Sequence, residues 1–358
     1  MPDAPIRLDR DDLFAPHVDQ FLEERESLRR AVPETPRQPW IVRLLYSAVF
    51  YLSLAGGVGA LLAWAVLEPF FVEFQERGQR PGEFPIVNFL MFPTVAAGVG
   101  LLLGAVEGIM SRNALRAFIS GLVGLGVGFA GGIVSIFAGG FIFVIMANVA
   151  MQFWKNPRPD AVPEGVAFLI LMMGRAAAWA VAAIPAGIGQ GIALREKKVV
   201  VNGLLGGVLG GLLGGLLFDP ISLVFVGPDM RATVSRAVGF TTIGVLVGLF
   251  VGLVEQWTKT AWLIMRAGPL AGKQFIIYRN PTMLGSSPKA DIYLFKDAAI
   301  EPRHALVHNH GGRFTIEDCG TPDGTYVNGI PIRKHLLQPG DQIVLGKTVL
   351  EFAVRDSA

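Results

Sequence analysis

Six stretches of this chain are too apolar and too long to be left in water. Residues 44–67 contain no charged side chain, and crossing a bilayer takes about 20 residues. Further apolar stretches cover 85–106, 117–154, 165–194, 199–226 and 237–254. The fold class they predict is a multi-pass α-helical membrane domain of six crossings. The stretch 117–154 has room for a second crossing or a re-entrant piece, so its path stays open. Only 17% of residues are charged, against about 25% in soluble domains, which argues against one soluble domain.

The rest of the chain is polar or β-patterned. Residues 1–40 form an N-terminal arm, expected to lie in the cytosol. Within it, Asp9 to Arg30 has the spacing of an amphipathic helix, with Leu13, Val18, Phe21, Leu22 and Leu28 as its apolar positions. Pro33, Pro36 and Pro39 make the following segment a linker. The arm lacks the apolar core of a signal peptide, so the first hydrophobic segment is expected to stay in the mature protein. Polar connections fall at 68–84, 155–164 and 227–236 on one side and at 111–116 and 195–198 on the other. Six crossings put both termini on the same side. Arg25, Arg29, Arg30, Arg37 and Arg43 place that side in the cytosol, with Arg112, Arg116, Arg195, Lys197 and Lys198 in the inner loops. The membrane domain is expected over 41–267.

Inside it a pattern repeats. Glu107, Gln190 and Glu255 occupy equivalent positions, each preceded three residues earlier by Gly104, Gly187 or Gly252 and followed by Arg112, Arg195 or Lys259. Gly124, Gly128 and Gly132 lie as far beyond Glu107 as Gly207, Gly211 and Gly215 lie beyond Gln190. The register describes a helical hairpin with a basic turn, used twice, and a third half-unit. Gly203, Gly207, Gly211 and Gly215 recur every four residues, as do Gly206, Gly210 and Gly214, Gly100, Gly104 and Gly108, and Gly244, Gly248 and Gly252. Such spacing bares one helix face for close approach of another helix, the arrangement of a glycine zipper. Packing within one chain is the first reading, a homo-oligomer the second and a conduction path the third.

Few ionisable residues fall at membrane depth, which weakens a proton-coupled transporter. Arg175 stands about 30 Å of helix before Arg195, and Asp219 about 25 Å after Asn202. Similar depths suggest that the two pair, because an isolated charge there is costly; the competing expectation places both at the outer interface. Glu107 and Glu255 sit near inner helix ends, where a solvated role is expected.

From about Gly268 short β-rich segments are separated by Asn280-Pro281, Gly311-Gly312 and Pro339-Gly340. Many strands with turns between them predict a β-sandwich over 268–358. Leu284-Gly285-Ser286-Ser287-Pro288-Lys289-Ala290-Asp291-Ile292 resembles the I-G-R-x-P-x-x-D-I stretch of forkhead-associated (FHA) domains. Ile300-Glu301-Pro302-Arg303-His304-Ala305 resembles that family's S-x-x-H-A. Asp318 to Gly329 resembles D-L-G-S-x-N-G-T-x-V-N-G, and Leu336 to Gly346 resembles the closing L-x-x-G-D-x-I-x-(I/L)-G. The resemblance implies a sandwich that binds phosphothreonine peptides with the loops at one end. The positions it assigns to gripping phosphate and peptide are Ser286, Glu301, Pro322 and Asp323 here, and each departs from the family pattern. Phosphate is best held by Arg and charge-assisted donors. Ser286 offers one neutral donor, Glu301 a repelling carboxylate, Pro322 no donor and Asp323 only acceptors. The pocket is therefore expected to be degenerate. His304 is expected to brace the loops, Asn328-Gly329 to make a hairpin turn, and Arg303 and Lys289 to be the remaining attractors of an anion. His308 and His310 have the look of a metal pair but are expected to face solvent.

These features predict a non-enzymatic membrane adaptor of a bacterial inner membrane. Its FHA-like domain would recruit a cytosolic partner from a Ser/Thr kinase pathway or an envelope machine. A channel or transporter regulated by that domain is the alternative, and docking of phosphorylated Thr35 onto the chain's own domain is a third. No P-loop, nucleophile elbow or metal-ligand cluster is found, and no cofactor or metal is expected. A net charge of +2 gives no basis for a nucleic-acid partner, so contacts beyond the protein partner are expected with membrane lipid. A single cysteine, Cys319, excludes an internal disulfide and suits a reducing compartment.

Overall fold

The computed structural model describes residues 39–71, 86–154, 164–225 and 232–355. They divide into two compact units, Trp40–Lys259 and Thr260 onward. The predicted arm helix, the Pro33–Pro39 linker up to residue 38, and Thr35 lie outside the described residues, as does most of the expected connections 68–84 and 155–164.

The first unit is helical. A short α1 (Trp40–Leu45) precedes α2 (Ala48–Leu67), α3 (Ile86–Met110), α4 (Ala114–Phe153), α5 (Gly165–Leu194), α6 (Lys197–Phe225) and α7 (Ala232–Thr258). Six of these seven helices are long and apolar enough to span a membrane. The open path of 117–154 resolves into one unbroken α4 of 40 residues, about 60 Å long and twice a hydrocarbon core. Both basic turns are shorter than expected. Arg116 already belongs to α4, and Lys197 and Lys198 open α6.

The turns share one construction. Arg112 and Arg195, at the same offset from Glu107 and Gln190, both adopt left-handed φ, 52° and 56°. Asn113 N–H donates to Gly108 C=O at 2.7 Å, and Glu196 N–H donates to Gly191 C=O at 3.1 Å. These bonds satisfy carbonyls that a helix C-terminus would otherwise leave without partners. Each helix from α2 to α7 packs on the next, and α7 packs on α2, which closes a ring. The core includes Leu52, Met91, Leu103, Trp179, Phe240 and Val247.

Glycine sets the helix spacing. A methyl group on Gly187 would fall on the Gly203 carbonyl, and one on Gly203 would fall on the Gly187 carbonyl. Gly207, Gly211 and Gly215 face Ala183, Trp179 and Ala176 of α5, while Gly206, Gly210 and Gly214 face Val251, Val247 and Ile243 of α7. Both glycine faces of α6 are therefore occupied within the chain. Gly100 and Gly104 meet Gly124 and Ser120 of α4 in the same way, and Gly244 and Gly248 meet Gly56 and Leu52 of α2. Bare backbone on both sides allows close van der Waals contact between the helices.

The second unit is a β-sandwich of two sheets, ordered β2-β1-β11-β10-β7-β8 and β4-β3-β5-β6-β9. It begins at β1 (Ala261–Ala267), before the boundary expected at 268. β1 pairs with β11 (Thr348–Val354) and with β2 (Gln274–Ile276). The other strands are β3 (Thr282–Gly285), β4 (Ile292–Tyr293), β5 (Ala305–His310), β6 (Arg313–Asp318), β7 (Thr325–Val327), β8 (Ile330–Ile332), β9 (Lys334–Leu336) and β10 (Gln342–Leu345). Leu263, Leu284, Val307, Ile316, Ile343 and Phe352 form the shared core. They alternate with outward residues along their strands, as a sandwich requires.

Candidate functional site

Three loops gather at the ends of β3, β5 and β6, and His304 ties them together. His304 is completely buried. Its Nδ1 accepts from Glu301 N–H at 3.1 Å, which leaves the proton on Nε2 to donate to Gly324 C=O at 3.1 Å. The backbone repeats the connection. Ser286 N–H donates to Glu301 C=O at 3.0 Å, His304 N–H to Leu284 C=O, and Cys319 N–H to His304 C=O, both at 2.9 Å.

Asp318 organises the third loop, a role the sequence reading did not assign. One carboxylate oxygen accepts from the hydroxyls of Thr325 at 2.7 Å and Thr321 at 2.9 Å. The other accepts from the amides of Gly320 at 2.7 Å and Thr321 at 3.1 Å. Burial works to raise the Asp318 pKa, but the four hydrogen bonds outweigh it and hold the carboxyl below its ordinary value. Asp291 plays a similar part beneath the first loop, accepting from Met283 N–H at 2.9 Å and pairing with Arg279 at 3.1 Å.

The scaffold is thus fully built, while the side chains on it are uncommitted. Glu301, Arg303, Pro322 and Asp323 are exposed and Ser286 is half-buried. Among the described residues, no hydrogen bond or ion pair engages the side chains of Ser286, Lys289, Glu301, Arg303 or Asp323. Lys289 and Arg303 are balanced by Glu301 and Asp323, and with Lys296, Asp291 and Asp297 the loops carry three positive and four negative side chains, so they hold no positive excess with which to draw in a phosphate.

Asn328 belongs to a different feature. Asn328 and Gly329 both have positive φ, 52° and 79°, in the two-residue turn between β7 and β8, where Val327 faces Ile330. Asn328 Nδ2 donates to Asp341 at 2.7 Å, and its Oδ1 accepts from Gln342 N–H at 2.9 Å. Asn328 therefore braces the sandwich. His308 and His310 stack with ring centres 6.0 Å apart. His308 lies 3.5 Å from Glu317 and His310 lies 3.3 Å from the Thr315 hydroxyl. Neither joins a group able to hold a metal ion among the described residues.

In the helical unit, Glu107 accepts from the Tyr51 hydroxyl at 3.0 Å. Gln190 and Glu255 are buried, so Glu255 does not lie open to solvent as expected. The Arg175 guanidinium faces the rings of Phe143 and Phe218, 5.5 and 5.7 Å from their centres. The side chain of Asp219, its expected partner, lies outside the described residues. Arg236, which the sequence reading passed over, forms an ion pair with Glu68 and lies 4.1 Å from the centre of the Phe71 ring.

The FHA domain family matches residues 282–346. The oxoglutarate dehydrogenase inhibitor of Corynebacterium efficiens is 37% identical over 99 residues, 28% of this chain and 69% of that protein. The glycogen accumulation regulator GarA of Mycolicibacterium smegmatis is 38% identical over 93 residues, 26% of this chain and 58% of that protein. This chain thus spans little more than half to two thirds of those relatives. The FHA domain of a Chlamydia trachomatis protein superposes on 27% of this chain and 99% of its own, with 26% identity and a TM-score of 0.25.

Proposed function

We propose, from the premise that this chain belongs through its C-terminal domain to the FHA domain family, that it is a non-enzymatic membrane adaptor. On this proposal, its FHA domain binds a cytosolic protein without reading a phosphate. The domain is an interaction module, and the six apolar helices provide the length and composition of an anchor. The reading places both termini in the cytosol of a bacterial cell, with the basic turns at Arg112 and Arg195 on the same side.

One observation carries the phosphate-independent part. The loops are held in place by His304 and Asp318, yet the gripping positions offer Ser286, Glu301, Pro322 and Asp323. A phosphothreonine carries a charge of about −1.5 to −2 and needs several charge-assisted donors. The carboxylates of Glu301 and Asp323 offset the charges of Lys289 and Arg303. A rigid loop platform without phosphate chemistry suits recognition of a folded protein surface. The relatives named as a dehydrogenase inhibitor and a regulator of glycogen accumulation support a regulatory partner. The helical unit favours anchoring over conduction, because its helices close on one another through backbone contacts at glycine.

The test is calorimetric titration of the purified full chain with a phosphothreonine peptide library and its unphosphorylated twin, alongside capture of partners from lysate. Retention of the same partner before and after phosphatase treatment supports the proposal. Binding that requires the phosphate refutes it and makes Ser286, Lys289 and Arg303 a substitute clamp.

A further inference from the structure

A cavity of about 300 Å³ lies between α3, α4, α5, α6 and α7. One face of α5 runs along it, with Arg175 at one end, Trp179 and Ala182 in the middle and Ala186 at the other. From Arg175 to Ala186 the cavity extends about 16 Å. Its walls are otherwise apolar apart from Ser135, whose hydroxyl is turned to the Val181 carbonyl at 3.3 Å. Arg175 stands about 30 Å of helix from the turn at Arg195, the thickness of a hydrocarbon core. With that turn at one membrane surface, Arg175 lies at head-group level of the opposite leaflet, and the apolar body reaches to mid-bilayer.

The wall is thin beside α4. Gly140 on α4 lines the cavity and is exposed, and a methyl group built there would meet nothing within 4 Å. Neighbouring Gly139 lies against Ala178, so no side chain from α4 screens the cavity there.

We infer that this cavity is a lipid site that takes one acyl chain of an anionic amphiphile through the gap at Gly140, with its phosphate or carboxylate held by Arg175. The inference rests on the membrane reading above. The volume fits about ten water-sized groups, enough for roughly the first ten carbons of one chain and with no room for a second. Moving a chain from bilayer to cavity exchanges one apolar surroundings for another, so the tail supplies little selectivity. Discrimination must come from Arg175.

The test uses the full chain in phosphatidylcholine nanodiscs with lipids carrying a photoreactive group on the chain: phosphatidic acid, palmitate and neutral diacylglycerol. Anionic probes should label peptides of α4 and α5 at least tenfold more than diacylglycerol. Phosphatidic acid alone identifies a phosphate head group, and palmitate alone a free carboxylate. Arg175→Gln should abolish the preference and Arg175→Lys should keep much of it. Gly140→Phe should block labelling by every probe, while Gly126→Phe, also on open α4 surface, should not. Equal labelling by diacylglycerol, or undiminished labelling of Gly140→Phe, overturns the lipid site. Failure of the chain to float with liposomes would instead overturn the membrane reading.

Discussion

Replacing His304 with alanine should unfold the loop platform from its centre. The imidazole is wholly buried and makes two hydrogen bonds of 3.1 Å, accepting from Glu301 N–H and donating to Gly324 C=O, while its Nε2 also lies 3.3 Å from the Thr321 hydroxyl as a longer, shared contact. Each contributes about 1 kcal/mol net. Shrinking a buried ring to a methyl adds a cavity cost of about 1–2 kcal/mol. The sum, about 3–4 kcal/mol, is a large part of the 5–15 kcal/mol that holds a typical domain. For a domain of this size the thermal midpoint should fall by roughly 12–30 °C. The assay is urea and thermal unfolding of residues 260–358, followed by the fluorescence of Trp262, the sole tryptophan in that segment. His304→Gln, which keeps one donor and one acceptor, should recover part of the loss. A loss below about 1 kcal/mol for His304→Ala would show that the loops hold their positions by backbone bonds alone, and the platform argument would fail.

Three further outcomes are expected. Asp318→Asn should flatten the acid limb of the stability profile in the same unfolding assay. The Asp318 pKa is lowered on folding, so its contribution is complete above the unfolded carboxylate value of about 3.9 and is lost as pH falls through the folded value. Gly203→Leu should separate α5 from α6, costing at least the 1–3 kcal/mol of core overpacking, and should appear as loss of a monodisperse chain in detergent; Gly126→Leu, in open space, should be silent. Ser286→Arg combined with Glu301→Ser should create phosphate-dependent peptide binding where calorimetry of the parent shows none, because the combination adds one cation, removes one carboxylate and restores two donors.

The sandwich was legible in the sequence because its loops are short and its turn residues are stereochemically special. Asn328-Gly329 could be read as a hairpin turn, since few residue pairs tolerate two positive φ values. His304 could be read as a brace from its place in the motif, though its partners could not. Asp318 falls within a motif, but its task is not legible there, since a carboxylate in a loop carries no sign of the four donors it collects. Strand β1 was missed because Ala261–Ala267 is apolar on both of its faces except at Arg266, so it continues the composition of α7.

In the helical unit the sequence by itself determined the six long apolar helices, the hairpin register and the glycine faces, because hydropathy and spacing along one helix are local properties. It did not determine which helix each face meets. Gly244 and Gly248 lie on Gly56 and Leu52, nearly 200 residues away in the chain, so α2 gives α7 the partner that α4 gives α3 and α6 gives α5. Only tertiary structure decided that closure, since close backbone contact depends on two surfaces fitting together and a sequence shows each surface alone. The cavity beside Arg175 has the same origin, as a space bounded by five helices is a property of none of them.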